Sequence, residues 1–133
     1  MTKLNCVLLV EDDDTTNFYN QFIIERSQLA TQVSVVTNGL EALQYLQRAG
    51  EGKAFPPDLI LLDINMPVMD GFEFIEKYEQ LPNEWKSKIL VVMLTTSLHP
   101  ADIERAKGHA SIAEYFYKPL LEQNLSELVK KYF

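Results

Sequence analysis

Asp63 closes an apolar run, Leu59–Leu62, and the chain then turns at once through Asn65, Pro67, Asp70 and Gly71. Three other segments place reactive side chains behind similar runs. Glu11, Asp12, Asp13 and Asp14 follow Leu4–Val10, Thr95, Thr96 and Ser97 follow Ile89–Leu94, and Lys118 and Pro119 follow Tyr115–Tyr117. Brought to one place, these residues would offer several carboxylates, a hydroxyl and one ammonium. Carboxylate oxygens suit a hard cation, most commonly Mg²⁺, which keeps waters and shares its site with phosphate oxygens. The lysine would serve as a point charge for an anion. The hydroxyl would donate to a phosphoryl oxygen. The chain has no glycine-rich phosphate cradle, so a bound nucleotide is not expected. What remains is a phosphoryl group carried by the protein itself, with Asp63 as the available nucleophile.

Such a site needs elements that bring four distant segments together. The apolar runs Leu4–Val10, Val33–Val36, Leu59–Leu62, Ile89–Leu94 and Tyr115–Tyr117 are rich in Val, Ile, Leu and Tyr. Several lack polar alternation, as expected of strands covered on both faces. Helical patterns fill the gaps. A first helix is expected at about Thr15 to Gln28, supported by Phe18, Phe22 and Ile23. Asn38 with Glu41 and Asp70 with Glu73 have capping-box spacing. Leu40, Leu43 and Leu46 follow the first of these, and Gly50 and Gly52 would end that helix. Pro100 and Pro119 suit first-turn positions. Leu121, Leu125, Leu128 and Val129 form a stripe on the last helix. The stretches EGKAFPP and LPNEWKSK read as longer loops.

Strand and helix thus alternate about five times, which predicts right-handed crossovers and a parallel sheet with helices on both faces. The chain is too short for a (β/α)₈ barrel of about 250 residues. The expected fold is therefore an α/β, doubly wound five-stranded parallel sheet in one domain spanning residues 1–133. In open sheets of this kind ligands bind beyond the carboxyl ends of the strands. All four chemically capable segments lie there.

Composition agrees with a globular domain of 133 residues, 47% hydrophobic and 23% charged. The net charge of -7 argues against a nucleic-acid surface and leaves room for a cation site. The single cysteine, Cys6, lies within an apolar run and reads as a small buried thiol in a reducing compartment. No segment reads as a signal peptide or a bilayer span. A cytoplasmic protein is expected.

The motifs LLVEDD, LLLDINMPVMDG, VMLTTS and YFYKP, in this order, resemble those of the response-regulator receiver domain, the CheY-like module of two-component signalling. The resemblance covers essentially the whole chain. It implies a flavodoxin-like (βα)₅ fold with strand order 2-1-3-4-5. It implies that Asp63 is the phosphoacceptor, and that Glu11 and Asp12 hold Mg²⁺ together with Asp63 and the backbone carbonyl of Asn65. Thr95 then resembles the switch hydroxyl, Lys118 the cation that contacts phosphate, and Pro119 the proline after it, often joined by a cis peptide. Tyr115 resembles the aromatic that moves between exposed and buried positions as Thr95 shifts. The implied phosphodonor is a phosphohistidine on a sensor kinase or phosphotransfer protein. Switching is implied on the face formed by the fourth helix, fifth strand and fifth helix, where a downstream protein or a second copy would bind. Beyond its own phosphorylation and dephosphorylation, no enzyme activity is implied.

The chain departs from the pattern in places. Its acidic pair is Glu-Asp rather than Asp-Asp, which the family accepts. Thr96 is bulkier than the small residue usual there. The stretch GHASIAEY before Tyr115 is longer than typical. Asn65 and Ser97 stand at positions that tune dephosphorylation in the family. Simpler roles compete for several residues. Asp13 or Asp14 could cap the first helix, Thr96 and Ser97 could cap a later one, and His99 and His109 lack metal-like spacing and read as surface residues. Trp85 reads as a loop clamp. Two other functions compete with this one. A Mg²⁺-dependent phosphatase of the haloacid-dehalogenase type needs a second aspartate two residues after the nucleophile, where this chain has Asn65. An interaction module independent of phosphate would not need the full acid, hydroxyl and lysine set.

Overall fold

Alternate residues of the central strands feed two different hydrophobic clusters, and that parity organises the whole molecule. In a computed structural model that describes residues 3–133, the strands are β1 (Leu4–Val10), β2 (Ala30–Val36), β3 (Leu59–Leu62), β4 (Leu90–Thr95) and β5 (Ile112–Tyr117). All pairs are parallel, in the order β2-β1-β3-β4-β5. This is the order expected. Leu8, Val10, Ile60, Leu62, Val91 and Met93 point to one side, against α2 (Gly39–Gly50), α3 (Gly71–Tyr78) and α5 (Pro100–Lys107). Val7, Leu9, Leu59, Leu61, Val92 and Leu94 point to the other, against α1 (Asp14–Ser27) and α6 (Glu122–Tyr132). Successive side chains of a strand face opposite ways, so burial on both faces removes polar alternation.

The chain steps from β1 outward to β2 and then returns past β1 to β3. Because each crossover is right-handed, the two steps place α1 and α2 on opposite faces. The reversal opens a crevice between the carboxyl ends of β1 and β3. Glu11 and Asp63 stand at its two lips.

Several boundaries differ from expectation, each for a local reason. β2 begins at Ala30 rather than Val33, and β5 at Ile112 rather than Tyr115. Both are edge strands and only partly buried, so their polar residues hide them from an apolar scan. The extra length of GHASIAEY is absorbed there. Val91 pairs with Ile112 but Val92 pairs with Glu114, which leaves Ala113 as the odd residue of a bulge. LPNEWKSK holds a short helix, α4 (Asn83–Lys86), so the expected fourth and fifth helices are α5 and α6. Pro100 is in the first turn of α5 as expected. Pro119 is not in a first turn: the Lys118–Pro119 bond is cis and α6 starts at Glu122.

α1 corrects the reading of its inward face. Its buried residues are Asn17, Asn20 and Ile24, while Phe18 and Phe22 are exposed. Asn17 is drawn inward because its amide donates to the Glu11 carbonyl at 2.8 Å. Asp13 caps the helix, accepting from Thr16 N at 2.8 Å. Asp70 and Glu73 form a reciprocal capping box. Asn38 makes only half of one, because the Glu41 carboxylate turns to Thr37 N. Gly50 is the last residue of α2 and Gly52 has φ +77°. The Trp85 indole covers Gly50, where a Cβ would lie 3.0 Å from Cε2, so this residue does clamp two segments. Cys6 is buried. His99 is exposed, but the His109 side chain is mostly covered, against Glu79 and the Phe72 ring. No described helix is long and apolar enough to cross a membrane.

Candidate functional site

Each of three site residues is held by one further rung of the sheet ladder. The Glu11 amide donates to Val36 O at 3.0 Å, the Asp63 amide to Val10 O at 3.0 Å, and the Lys118 amide to Thr95 O at 2.9 Å. Their backbones are therefore as rigid as the strands behind them, while their side chains project past the sheet edge. Such placement on regular elements gives precision that a free loop does not.

The side chains converge. The Lys118 ammonium contacts a Glu11 carboxylate oxygen and lies 3.2 Å from Asp63 Oδ2. Asp63 Oδ1 accepts from Ile64 N at 2.8 Å, and Glu11 Oε2 from Asp13 N at 3.1 Å. Carboxylate oxygens of Glu11, Asp12 and Asp63 lie within 4.8 Å of one another. Glu11 and Asp63 are buried and Asp12 is exposed, so the cluster opens to solvent on the Asp12 side. Asn65 lies exposed in the loop just beyond Asp63.

The cluster holds three carboxylates and one ammonium, which touches Glu11 and Asp63, so two negative charges are left uncompensated. The titration behaviour follows. Burial, with the nearby Asp63 charge added, pushes the Glu11 carboxyl up, although Lys118 pulls it down. Burial alone would lower Lys118, but Glu11 and Asp63 outweigh it and its ammonium is held above the usual lysine range. The two shifts do not conflict, since one cation cannot neutralise two buried anions. A divalent ion could supply the missing charge, and an all-oxygen donor set suits Mg²⁺.

Thr95 is fully buried at the end of β4, and its Oγ1 accepts from Ser97 N at 3.2 Å. Tyr115 is partly buried, and its hydroxyl donates to Ser97 O at 3.0 Å. Thr96 is exposed beside them. Ser97 thus joins the two residues expected to move together. Its sequence context suggests only a cap or a tuning position, and no local pattern marks it as a junction.

Two loop features also escaped the sequence. Gly71 was read as shaping the turn, yet its role is stricter. A Cβ there would lie 2.3 Å from the Asp63 carbonyl oxygen and 3.1 Å from Ile64 Cα, while its amide donates to Ile64 O at 2.8 Å. Both obstacles are backbone and neither can swing away. Gly71→Ala is expected to cost about 3 kcal/mol, at the upper end for overpacking, read as a lower urea midpoint with an unchanged slope. Val68 has φ +68° between Pro67 and Met69, whose amide donates to Pro67 O at 2.7 Å. A β-branched residue there signals strain at the rim of the site.

The response regulator receiver domain model matches residues 7–130. The chain belongs to this family. Like its relatives, the domain is a signalling module of two-component systems rather than a classical enzyme. Response regulator Rcp1 of Synechocystis sp. is 37% identical over 125 residues, covering 93% of this chain and 81% of Rcp1. A two-component response regulator from Cytophaga hutchinsonii superposes with a TM-score of 0.88 at 34% identity, over 97% of this chain and 96% of that one. The Mn(2+)-bound form of Rcp1 superposes with a TM-score of 0.75 at 31% identity, over 95% of this chain and 89% of that one.

Proposed function

We propose that this receiver domain accepts a phosphoryl group on Asp63, with Mg²⁺ bound, and uses it to switch a protein contact. The observation that carries the reading is the meeting of Glu11, Asp12, Asp63 and Lys118 at the crevice between β1 and β3. Glu11, Asp12, Asp63 and the Asn65 carbonyl would hold the metal, which supplies positive charge to the phosphoryl oxygens when bound. The Mn(2+)-bound state of Rcp1 supports a divalent ion here.

Asp63 attacks phosphorus, and a new O–P bond forms as the donor's N–P bond breaks. The electron pair of that bond stays on the imidazole nitrogen of a phosphohistidine, carried by a sensor kinase or phosphotransfer protein. Lys118 steadies the transferred charge, and Thr95 turns its hydroxyl toward a phosphoryl oxygen. Later attack by water on phosphorus breaks the aspartyl O–P bond, releasing inorganic phosphate and returning the free carboxylate. Phosphorylation acts here as a local electrostatic change biasing a two-state element. That element comprises α5, β5 and α6, with Tyr115 reporting the position of Thr95. A downstream protein or a second copy of the chain binds the same face. A phosphorelay of this kind operates in the cytoplasm.

The test is direct. The protein is incubated with Mg²⁺ and acetyl phosphate and the intact chain is weighed. One added phosphoryl group is expected, and none when the divalent ion is chelated. A chain that gains nothing from any small donor in the presence of Mg²⁺ overturns the reading.

A further inference from the structure

The first turn of α5 is fastened to the β4–α5 loop in an unusual way. At a capping box, an acid at the third helical position takes the amide of the N-cap residue. Here the N-cap is His99 and the third helical residue is Asp102. The His99 amide donates instead to Ser97 Oγ at 3.3 Å, and the Ser97 hydroxyl donates to Asp102 Oδ2 at 2.6 Å. Ser97 is therefore inserted between the cap and its acid. Its main chain is committed elsewhere: its amide to Thr95 Oγ1 and its carbonyl to the Tyr115 hydroxyl. One residue thus links the Thr95 hydroxyl, the Tyr115 hydroxyl and the start of α5.

We infer that Asp102 is a positioning residue of the switch, which locks Ser97 to α5 so that movement of Thr95 is passed to Tyr115 and to the helix together. The inference rests on the proposed phosphorylation of Asp63 and adds the link that transmits it. Ser97 Oγ has no other acceptor for its proton among the hydrogen bonds of the described residues. A short bond to a carboxylate is stronger than one between neutral groups. Without Asp102 the serine hydroxyl keeps only the longer bond from the His99 amide at 3.3 Å, and its short tie to the first turn of the helix is lost. The helix would keep its remaining cap, because His99 Nδ1 accepts from Ala101 N at 3.2 Å. Folding should therefore survive the substitution. Asp102 touches neither Asp63 nor the metal ligands through any hydrogen bond, so the acyl phosphate should still form.

The experiment labels the protein with 3-fluorotyrosine and follows the Tyr115 ¹⁹F resonance, assigned with Tyr115→Phe, before and after acetyl phosphate and Mg²⁺. Intact mass measures phosphorylation in the same samples. In the wild type the Tyr115 resonance should move as the mass rises. Asp102→Ala should gain the phosphoryl group to the same extent, yet show less than half of the wild-type displacement. One hydrogen bond is worth a factor of about 3 to 10 in an equilibrium, enough for that loss. Asp102→Asn keeps an acceptor for the Ser97 proton and should restore most of the displacement. Ser97→Ala, compared per phosphorylated chain, should lose the displacement as Asp102→Ala does. A phosphorylated Asp102→Ala whose resonance moves as far as the wild type overturns the inference alone, as does an Asp102→Asn no better than alanine. A wild type that takes up no phosphoryl group overturns this inference and the proposed function together.

Discussion

Asp63→Asn is expected to gain no mass from acetyl phosphate and Mg²⁺ under conditions that add one phosphoryl group to the wild type. The substitution keeps the shape of the side chain and an oxygen able to accept from Ile64 N, now met by Asp63 Oδ1 at 2.8 Å. It removes the anionic oxygen that would attack phosphorus, and an amide is no substitute for a carboxylate nucleophile. The same change should not harm the fold. Asp63 is one of three carboxylates with oxygens within 4.8 Å of one another, and it shares the Lys118 ammonium with Glu11. Its removal relieves repulsion, and its charge is one of the causes that push the Glu11 carboxyl up. In the absence of divalent metal, stability should rise by about 0.5–1 kcal/mol, seen as a higher melting temperature. Lost phosphorylation in a chain more stable than the wild type cannot be blamed on misfolding. A variant phosphorylated as well as the wild type would move the acceptor to another residue.

Lys118→Ala should lose on both counts, and the two losses should respond differently to metal. The Glu11 and Asp63 side chains are 5% and 10% exposed and both face the Lys118 ammonium. Removing one partner of a buried ion pair leaves charge uncompensated, at a cost of about 3 kcal/mol. Mg²⁺ should restore much of that stability, since it would supply charge to the same carboxylates and would bind only the folded chain. It should not restore the rate. A fixed charge aimed at developing negative charge is worth about a hundredfold to a thousandfold, and a metal held by the carboxylates would not replace the ammonium itself. Melting with and without Mg²⁺, paired with the rate of mass gain, separates the two effects. Equal destabilisation in both conditions would show that the metal does not share these carboxylates.

Much of this protein could be read from local pattern. Two-sided burial wrote β1, β3 and β4 into the chain as unbroken apolar runs. Because strands and helices alternate and crossovers are right-handed, such a pattern leaves few arrangements open, and the observed order β2-β1-β3-β4-β5 is the one that the receiver-domain resemblance implied. Edge strands were harder. Each pairs with one neighbouring strand only and is only partly buried, so β2 and β5 carry polar residues that hide their starts. α1 misled more deeply, because Phe18 and Phe22 look like a core stripe, whereas Asn17 and Asn20 face inward. Asn17 is buried because the Glu11 carbonyl needs a donor, a tertiary reason that no helical periodicity contains.

The site divides the same way. Strand ends, acids, hydroxyls and the lysine were legible as residue types in the right order. That Glu11, Asp63 and Lys118 meet follows from the sheet, whose parallel ladder brings positions about fifty residues apart to one edge. Their contacts depend on side-chain directions beyond the last rung, which only the folded chain decides. The same holds for Ser97, whose neighbours along the chain are ordinary. Its place between Thr95, Tyr115 and Asp102 arises because β4, β5 and α5 converge there, and convergence is a property of packing rather than of any one segment.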